Sequence, residues 1–329
     1  MWDPRTYEDT DYGLDEGESF EPDLDPEEPF DRSMPHIMTV LGPIEPEELG
    51  VCIPATRFMP RTLPEPADRS RARALAEAAE ELEAFASVGG RSVVDIATAA
   101  TGRDIPALQR LTQLVPSHLI AATGLLDDDD EASRNLEHEL AHGLEGTGVR
   151  PGLLALAMGD RATVRLNRAC SLSIRYGMPL LVEIAAWEDA EAVTAAWRQA
   201  IASPAAAHPP HLILVGPAGP PDVETVAEAN RAGAFVTVRT PGPGHPQTET
   251  ALARHLVELA HEGFDQSVLV TMDLVMPRVP VAAPAEPRSP YLIDRFALAL
   301  MEAGASALGV RRIMIENPAR ALTILPPVS

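Results

Sequence analysis

The chain contains no lysine; all 26 of its basic residues are arginine. A carbamylated lysine bridging two metal ions therefore cannot be made. Cysteine is nearly absent too, and Cys52 and Cys170 form neither a metal-binding pattern nor a disulfide framework. With Cys52 expected on a strand and Cys170 on a helix, they read as two buried thiols in a reducing cytoplasm. No apolar run approaches the roughly 18 residues that span a bilayer. No basic segment followed by an apolar one opens the chain, so no secretory leader is expected and the location reads as cytoplasmic. Positive charge is in short supply: the formal net charge is -23. That field repels nucleic acid and anionic membranes, and no arginine-rich stripe offsets it. An anionic substrate would meet the same field.

Aromatic residues make up only 4% of the sequence, yet Trp2, Tyr7, Tyr12, Phe20 and Phe30 fall in the first 36 residues. From Met1 to Arg32 there are also thirteen acidic residues against Arg5 and Arg32. This stretch has several prolines and no apolar periodicity, so it cannot bury enough surface to fold alone and is expected to be a disordered acidic tail over residues 1–36. It serves either as a solubiliser or as a docking segment for a protein partner, its acids steering the encounter and its aromatics supplying contact area.

Beyond the tail, residues 37–329 repeat one pattern eight times. Short Val-, Ile- and Leu-rich runs alternate with longer segments of helical period, which argues for parallel strands with crossover helices. Strands are expected near Gly50–Ala55, Ser92–Thr98, His118–Thr123, Gly152–Met158, Leu180–Ala185, Leu212–Gly216, Phe235–Arg239 and Ser267–Asp273. Helices between them include Asp68–Phe85, Asp160–Tyr176, Asp189–Ile201, Pro221–Ala232 and Thr248–Glu262. Eight such units close naturally into an α/β fold of the (β/α)8 TIM-barrel type, in which function sits at the C-terminal strand ends.

Five segments, in order, carry a resemblance: Met38–Met59 (MTVLGPIEPEELGVCIPATRFM), Gly89–Asp104, Gly143–Leu154 (GLEGTGVRPGLL), Asn167–Leu180 (NRACSLSIRYGMPL) and Arg311–Thr323 (RRIMIENPARALT). Together they resemble the phosphotriesterase-related family of metal-dependent hydrolases, in the amidohydrolase superfamily. The resemblance implies a barrel whose mouth holds one or two metal ions, usually zinc, that activate water against phosphotriesters, lactones or related esters. It also places the family's ligand positions on this chain. The two histidines of the first strand fall at Ala55 and Arg57, and the bridging Lys or Glu of the fourth at Ala155. The histidine of the fifth falls at Glu183 and that of the sixth at Pro217. The aspartate of the eighth is retained as Asp273, while the Asp-Arg that often ends the seventh becomes Val238-Arg239. One retained ligand and one substituted carboxylate do not make a zinc site, so no metal and no catalytic group is expected here.

The replacements suggest what occupies the mouth instead. Arg57 brings a fixed positive charge, and a bidentate Arg57–Asp273 or Arg57–Glu183 pair would satisfy the charges without metal. Arg57, Glu183, Arg239 and Asp273 are thus the candidate binding residues, with the acidic run at 127–130 expected on the same face. Elsewhere, His138-Glu139-Leu140-Ala141-His142 matches the zinc motif HExxH. Leu136, Leu140 and Leu144 mark that helix's buried face, which turns both histidines to solvent, and no third ligand follows at a suitable spacing. The glycines of Pro241-Gly242-Pro243-Gly244 belong to a stiff loop, because its prolines remove the N–H donors a phosphate cradle needs.

Three functions fit these residues. The first is a metal-free pseudoenzyme serving as a binding or assembly subunit. The second is a divergent hydrolase of ester bonds, phosphotriester or lactone. The third is a small-molecule sensor or carrier using the barrel mouth. The resemblance further implies a homodimer, or a heterodimer with an active relative.

Overall fold

A computed structural model describes residues 34–59, 67–124, 130–158, 162–202, 208–274 and 286–326. The acidic segment Met1–Arg32 and the run at 127–129 lie outside them. A short antiparallel hairpin opens the described chain: β1 (Ile37–Thr39) pairs with β2 (Gly42–Ile44). His36 just before it bridges to Ile324 near the other end of the chain, at 3.2 Å and 2.7 Å in the two directions.

Eight parallel strands follow in sequence order around one sheet: β3 (Val51–Thr56), β4 (Gly90–Asp95), β5 (His118–Thr123), β6 (Leu153–Ala157), β7 (Leu180–Glu183), β8 (Leu212–Val215), β9 (Phe235–Arg239) and β10 (Val268–Thr271). Their crossovers contain α1 (Ala67–Ser87), α2 (Ile105–Leu114), α3 (Asp130–His142), α4 (Ala162–Tyr176), α5 (Ala190–Ile201), α6 (Val223–Arg231) and α7 (Pro246–His261). After β10 come α8 (Ala297–Glu302), α9 (Ala307–Arg311) and α10 (Asn317–Leu322), with π-helical segments at Leu292–Phe296 and Arg312–Glu316. This is the (β/α)8 barrel expected from the alternation; His118–Thr123 and Phe235–Arg239 fall as expected, and the other strand ends differ by at most three residues.

The first and last strands meet through hydroxyls. Thr271 Oγ1 donates to the Ala55 carbonyl at 2.6 Å, and Thr56 Oγ1 both donates to the Leu274 carbonyl and accepts from the Leu274 N–H, each at 2.8 Å. Pro54 within β3 has no N–H to give a ladder, and the β3–β4 register shifts between Ile53 and Thr56. Side chains thus close the barrel where the backbone of β3 is irregular.

The core has an inside and an outside. Cys52, Val94, Ile120, Leu153, Leu181, Ile213, Phe235 and Leu269 form one buried cluster, filling the barrel interior in layers. Their neighbours along the strands, such as Val93, Leu154, Leu212 and Val236, pack outward against helices. The period of two then dictates that Glu183 shares the inward face of Leu181, Arg239 that of Phe235, and Asp273 that of Leu269. Cys52 on β3 and Cys170 on α4 are both buried and free, and burial pushes both thiols well above their ordinary pKa. Among the described residues, no helix is long and apolar enough to cross a membrane.

Candidate functional site

Strand ends bring four of the expected residues to one rim. Glu183 ends β7, Arg239 ends β9, Arg57 follows β3 by one residue and Asp273 follows β10 by two. Arg57 Nη1 donates to Glu183 Oε1 at 3.1 Å, and its Nη2 donates to Oε2 of the same carboxylate. Because β3 and β7 stand four strands apart in a ring of eight, this bidentate pair spans the mouth. Arg239 lies between the two carboxylates: its Nη2 donates to Glu183 Oε1 at 3.3 Å, its Nη1 to Asp273 Oδ1, and its Nε to the Gly216 carbonyl at 3.1 Å. The result is one chain of charge, Arg57–Glu183–Arg239–Asp273. Of the two pairings considered for Arg57, the one with Glu183 forms; Asp273 goes to Arg239 on the adjacent strand. Exposure grades along the chain: Glu183 and Arg239 are 16% exposed, Arg57 38% and Asp273 62%.

The remaining ligand positions have no donor atom to offer. Ala55 and Ala155 are buried, and Pro217 is half-buried one residue beyond Gly216. Zinc needs several His, Asp or Glu ligands free to coordinate. Here both carboxylates of the rim are tied to guanidinium groups, and no three metal-ligating side chains converge among the described residues. The residues present do not fit the metal centre that the resemblance implies.

A fifth charged residue was not singled out from the sequence. Asp95, the last residue of β4, is buried and accepts N–H bonds from Phe58 at 3.3 Å, Met59 at 3.1 Å and Ala97 at 2.9 Å. It ties the segment after Arg57 to the segment after β4, and so positions Arg57. Its signal in the sequence is a carboxylate inside the apolar run Ser92–Thr98, and the structure ends that strand at Asp95.

Burial raises the Asp95 carboxyl to about 6, against the opposing pull of those three N–H donors and of Arg57. The unfolded carboxyl titrates near its ordinary 3.8, so between there and about pH 6 the folded chain binds the extra proton. Its contribution to stability is therefore largest at the acid end and declines by up to about 3 kcal/mol as pH rises through this window. His211 titrates in the same range in the opposite sense, its pKa lowered to about 4 by burial and by Arg320. The expected result concerns the difference between wild type and Asp95→Asn, in which the His211 contribution cancels. Urea titrations from pH 4 to 7 should show wild type losing its advantage as pH rises; a difference independent of pH would mean that Asp95 is ionised throughout.

The HExxH segment resolves into separate parts. His138 and His142 are exposed, their rings stacked 4.3 Å apart, while Leu136, Leu140 and Leu144 are buried as the helical wheel requires. Glu139 turns inward instead. It accepts from Arg103 Nη2 at 2.6 Å and Nη1 at 3.3 Å, and from Thr123 Oγ1 at 2.6 Å. Arg103 is fully buried, also donates to the Ala122 carbonyl at 2.8 Å, and lies 3.4 Å from Glu145, a non-glycine residue at φ 51°. The glutamate is thus a structural partner of Arg103, separated from the histidines by the helix itself.

Comparison with known proteins fits this architecture. The sequence model of the Phosphotriesterase family matches residues 35–169. Over those residues the chain is similar to the Phosphotriesterase family. An N-acetyltaurine hydrolase from Salmo salar is 26% identical over 161 residues, 36% of this chain and 46% of that protein. One from Tetraodon nigroviridis is 33% identical over 86 residues, 23% of this chain and 25% of its own length. These matches span under half of the curated relatives' length. Among solved structures, an amidohydrolase from Mycoplasma synoviae superposes with a TM-score of 0.72 at 20% identity, covering 88% of this chain and 92% of the other. A triple mutant of organophosphorus hydrolase from Deinococcus radiodurans gives 0.72 at 20%, covering 87% and 97%. At that identity the likeness is one of fold.

Proposed function

We propose that this chain is a phosphotriesterase-like barrel without metal chemistry, a pseudoenzyme that serves as a binding or assembly subunit. One observation carries this reading: Glu183 and Asp273, the carboxylates available at the implied ligand positions, are engaged by Arg57 and Arg239. A guanidinium supplies positive charge where a cation would lie, but it has no open coordination position and cannot lower the pKa of a bound water as a metal does. The relatives whose names report a hydrolase activity set the chemistry to be tested.

Elemental analysis and hydrolysis assays of the full chain test this, with His138→Ala/His142→Ala as a control for adventitious binding at the surface pair. Neither protein is expected to hold stoichiometric zinc, manganese or iron, or to turn over a phosphotriester, a lactone or N-acetyltaurine. Metal that persists in the control variant, or turnover that disappears in Asp273→Asn, would sink the reading. It would favour a divergent hydrolase instead, for which the buried Asp95 carboxyl near the mouth is the supporting observation.

A further inference from the structure

The four charges at the mouth form an incomplete ring. From Arg57 after β3 the ion pairs cross to Glu183 on β7, turn to Arg239 on β9 and end at Asp273 after β10. Strands β10 and β3 are neighbours where the barrel closes, joined through Thr271 and Thr56. Arg57 and Asp273 therefore follow adjacent strands, yet among the described residues they make no ion pair with each other.

These two ends are also the most exposed members of the chain of charges, and both have bonding capacity to spare. A guanidinium carries five N–H groups, and Glu183 takes two of those on Arg57. Asp273 accepts from Arg239 through Oδ1, and its Oδ2 has no partner among the described residues. Thr237, fully buried two residues before Arg239 and on the same inward face, has a hydroxyl without a hydrogen-bond partner among the described residues. A buried hydroxyl of this kind calls for a polar neighbour in the mouth.

Charge decides what fits the open joint. Two arginines and two carboxylates sum to zero, so an ion of either sign gains at one end of the joint and is repelled at the other. A free anion is further disfavoured by the net charge of -23. A small molecule carrying both charges avoids these penalties. Its planar carboxylate matches the spare N–H groups of Arg57, and its ammonium matches Asp273 Oδ2.

We propose that the mouth binds a small zwitterion, an amino carboxylate, between Arg57 and Asp273, and that this ligand completes the ring. The proposal rests on the reading of the mouth as a metal-free binding site and adds the class of ligand to it.

Calorimetric titration of the full chain with glycine, β-alanine and γ-aminobutyrate tests it, since their charge separation increases in that order. At least one is expected to bind with a dissociation constant of about 1 mM or tighter. The matching carboxylic acids and alkylamines, each with a single charge, should bind at least about tenfold more weakly. Asp273→Asn should lower the affinity for the zwitterion to that for the acid alone, and Arg57→Gln to that for the amine alone, with cooperative melting retained in both. Adding a chelator should change nothing. The inference is overturned, and the metal-free reading left standing, by no binding of any of the three to the metal-free protein, by binding that survives both substitutions, or by equal affinity for the singly charged analogues. Binding that a chelator abolishes overturns both, because a metal then holds the ligand.

Discussion

Arg103→Ala should be the most destabilising of the changes considered, costing about 4 kcal/mol. Its guanidinium is fully buried and joins the Ala122 carbonyl, Glu139 and the neighbouring Glu145. Removing it leaves two carboxylates without their cation and a cavity beside β5. Set against the 5–15 kcal/mol of an ordinary domain, this is a large fraction. Urea unfolding followed by circular dichroism is the measurement. Arg103→Met together with Glu139→Met should cost clearly less than the two single changes summed, because Glu139 leaves with its closest cation and only Glu145 keeps its charge. Simple additivity would mean that the short distances between them contribute nothing specific to stability.

The second large effect belongs to the mouth. Arg239→Ala is expected to cost about 2–3 kcal/mol, because Arg239 is mostly buried and serves Glu183, Asp273 and the Gly216 carbonyl at once. Arg57→Ala should cost less, about 1 kcal/mol, since its guanidinium is more than a third exposed and water screens its pair with Glu183. Double-mutant cycles should reproduce the order of the chain: coupling between Arg57 and Glu183, coupling between Arg239 and Asp273, and near-additivity between Arg57 and Asp273. Strong coupling of that last pair would mean that the two residues touch in solution, and the arrangement of the mouth would have to be redrawn.

Much of this molecule is legible in one dimension because the properties involved are local and periodic. Alternating apolar runs and helical segments bury their faces as a parallel sheet covered by helices, and eight such units close naturally into a barrel. The same periodicity exposes His138 and His142, and the residue types at Ala55, Ala155 and Pro217 by themselves rule out donors at those positions. The identity of each strand-end residue also follows from sequence, since the period of two assigns Glu183, Arg239 and Asp273 to the inward face.

Which charges meet was decided in three dimensions. Arg57 could be matched by type to either carboxylate, but only a ring of eight sets β3 opposite β7, so that its guanidinium crosses the mouth to Glu183 while Arg239 takes Asp273 on the next strand. Glu139 sits between two histidines in sequence, and the helix carries it to the other side, toward Arg103. Asp95 becomes distinctive only through the three N–H groups around it. Sequence spacing specifies which face of an element a side chain occupies. The partner it finds depends on closure of the barrel, which brings residues more than a hundred positions apart within bonding distance.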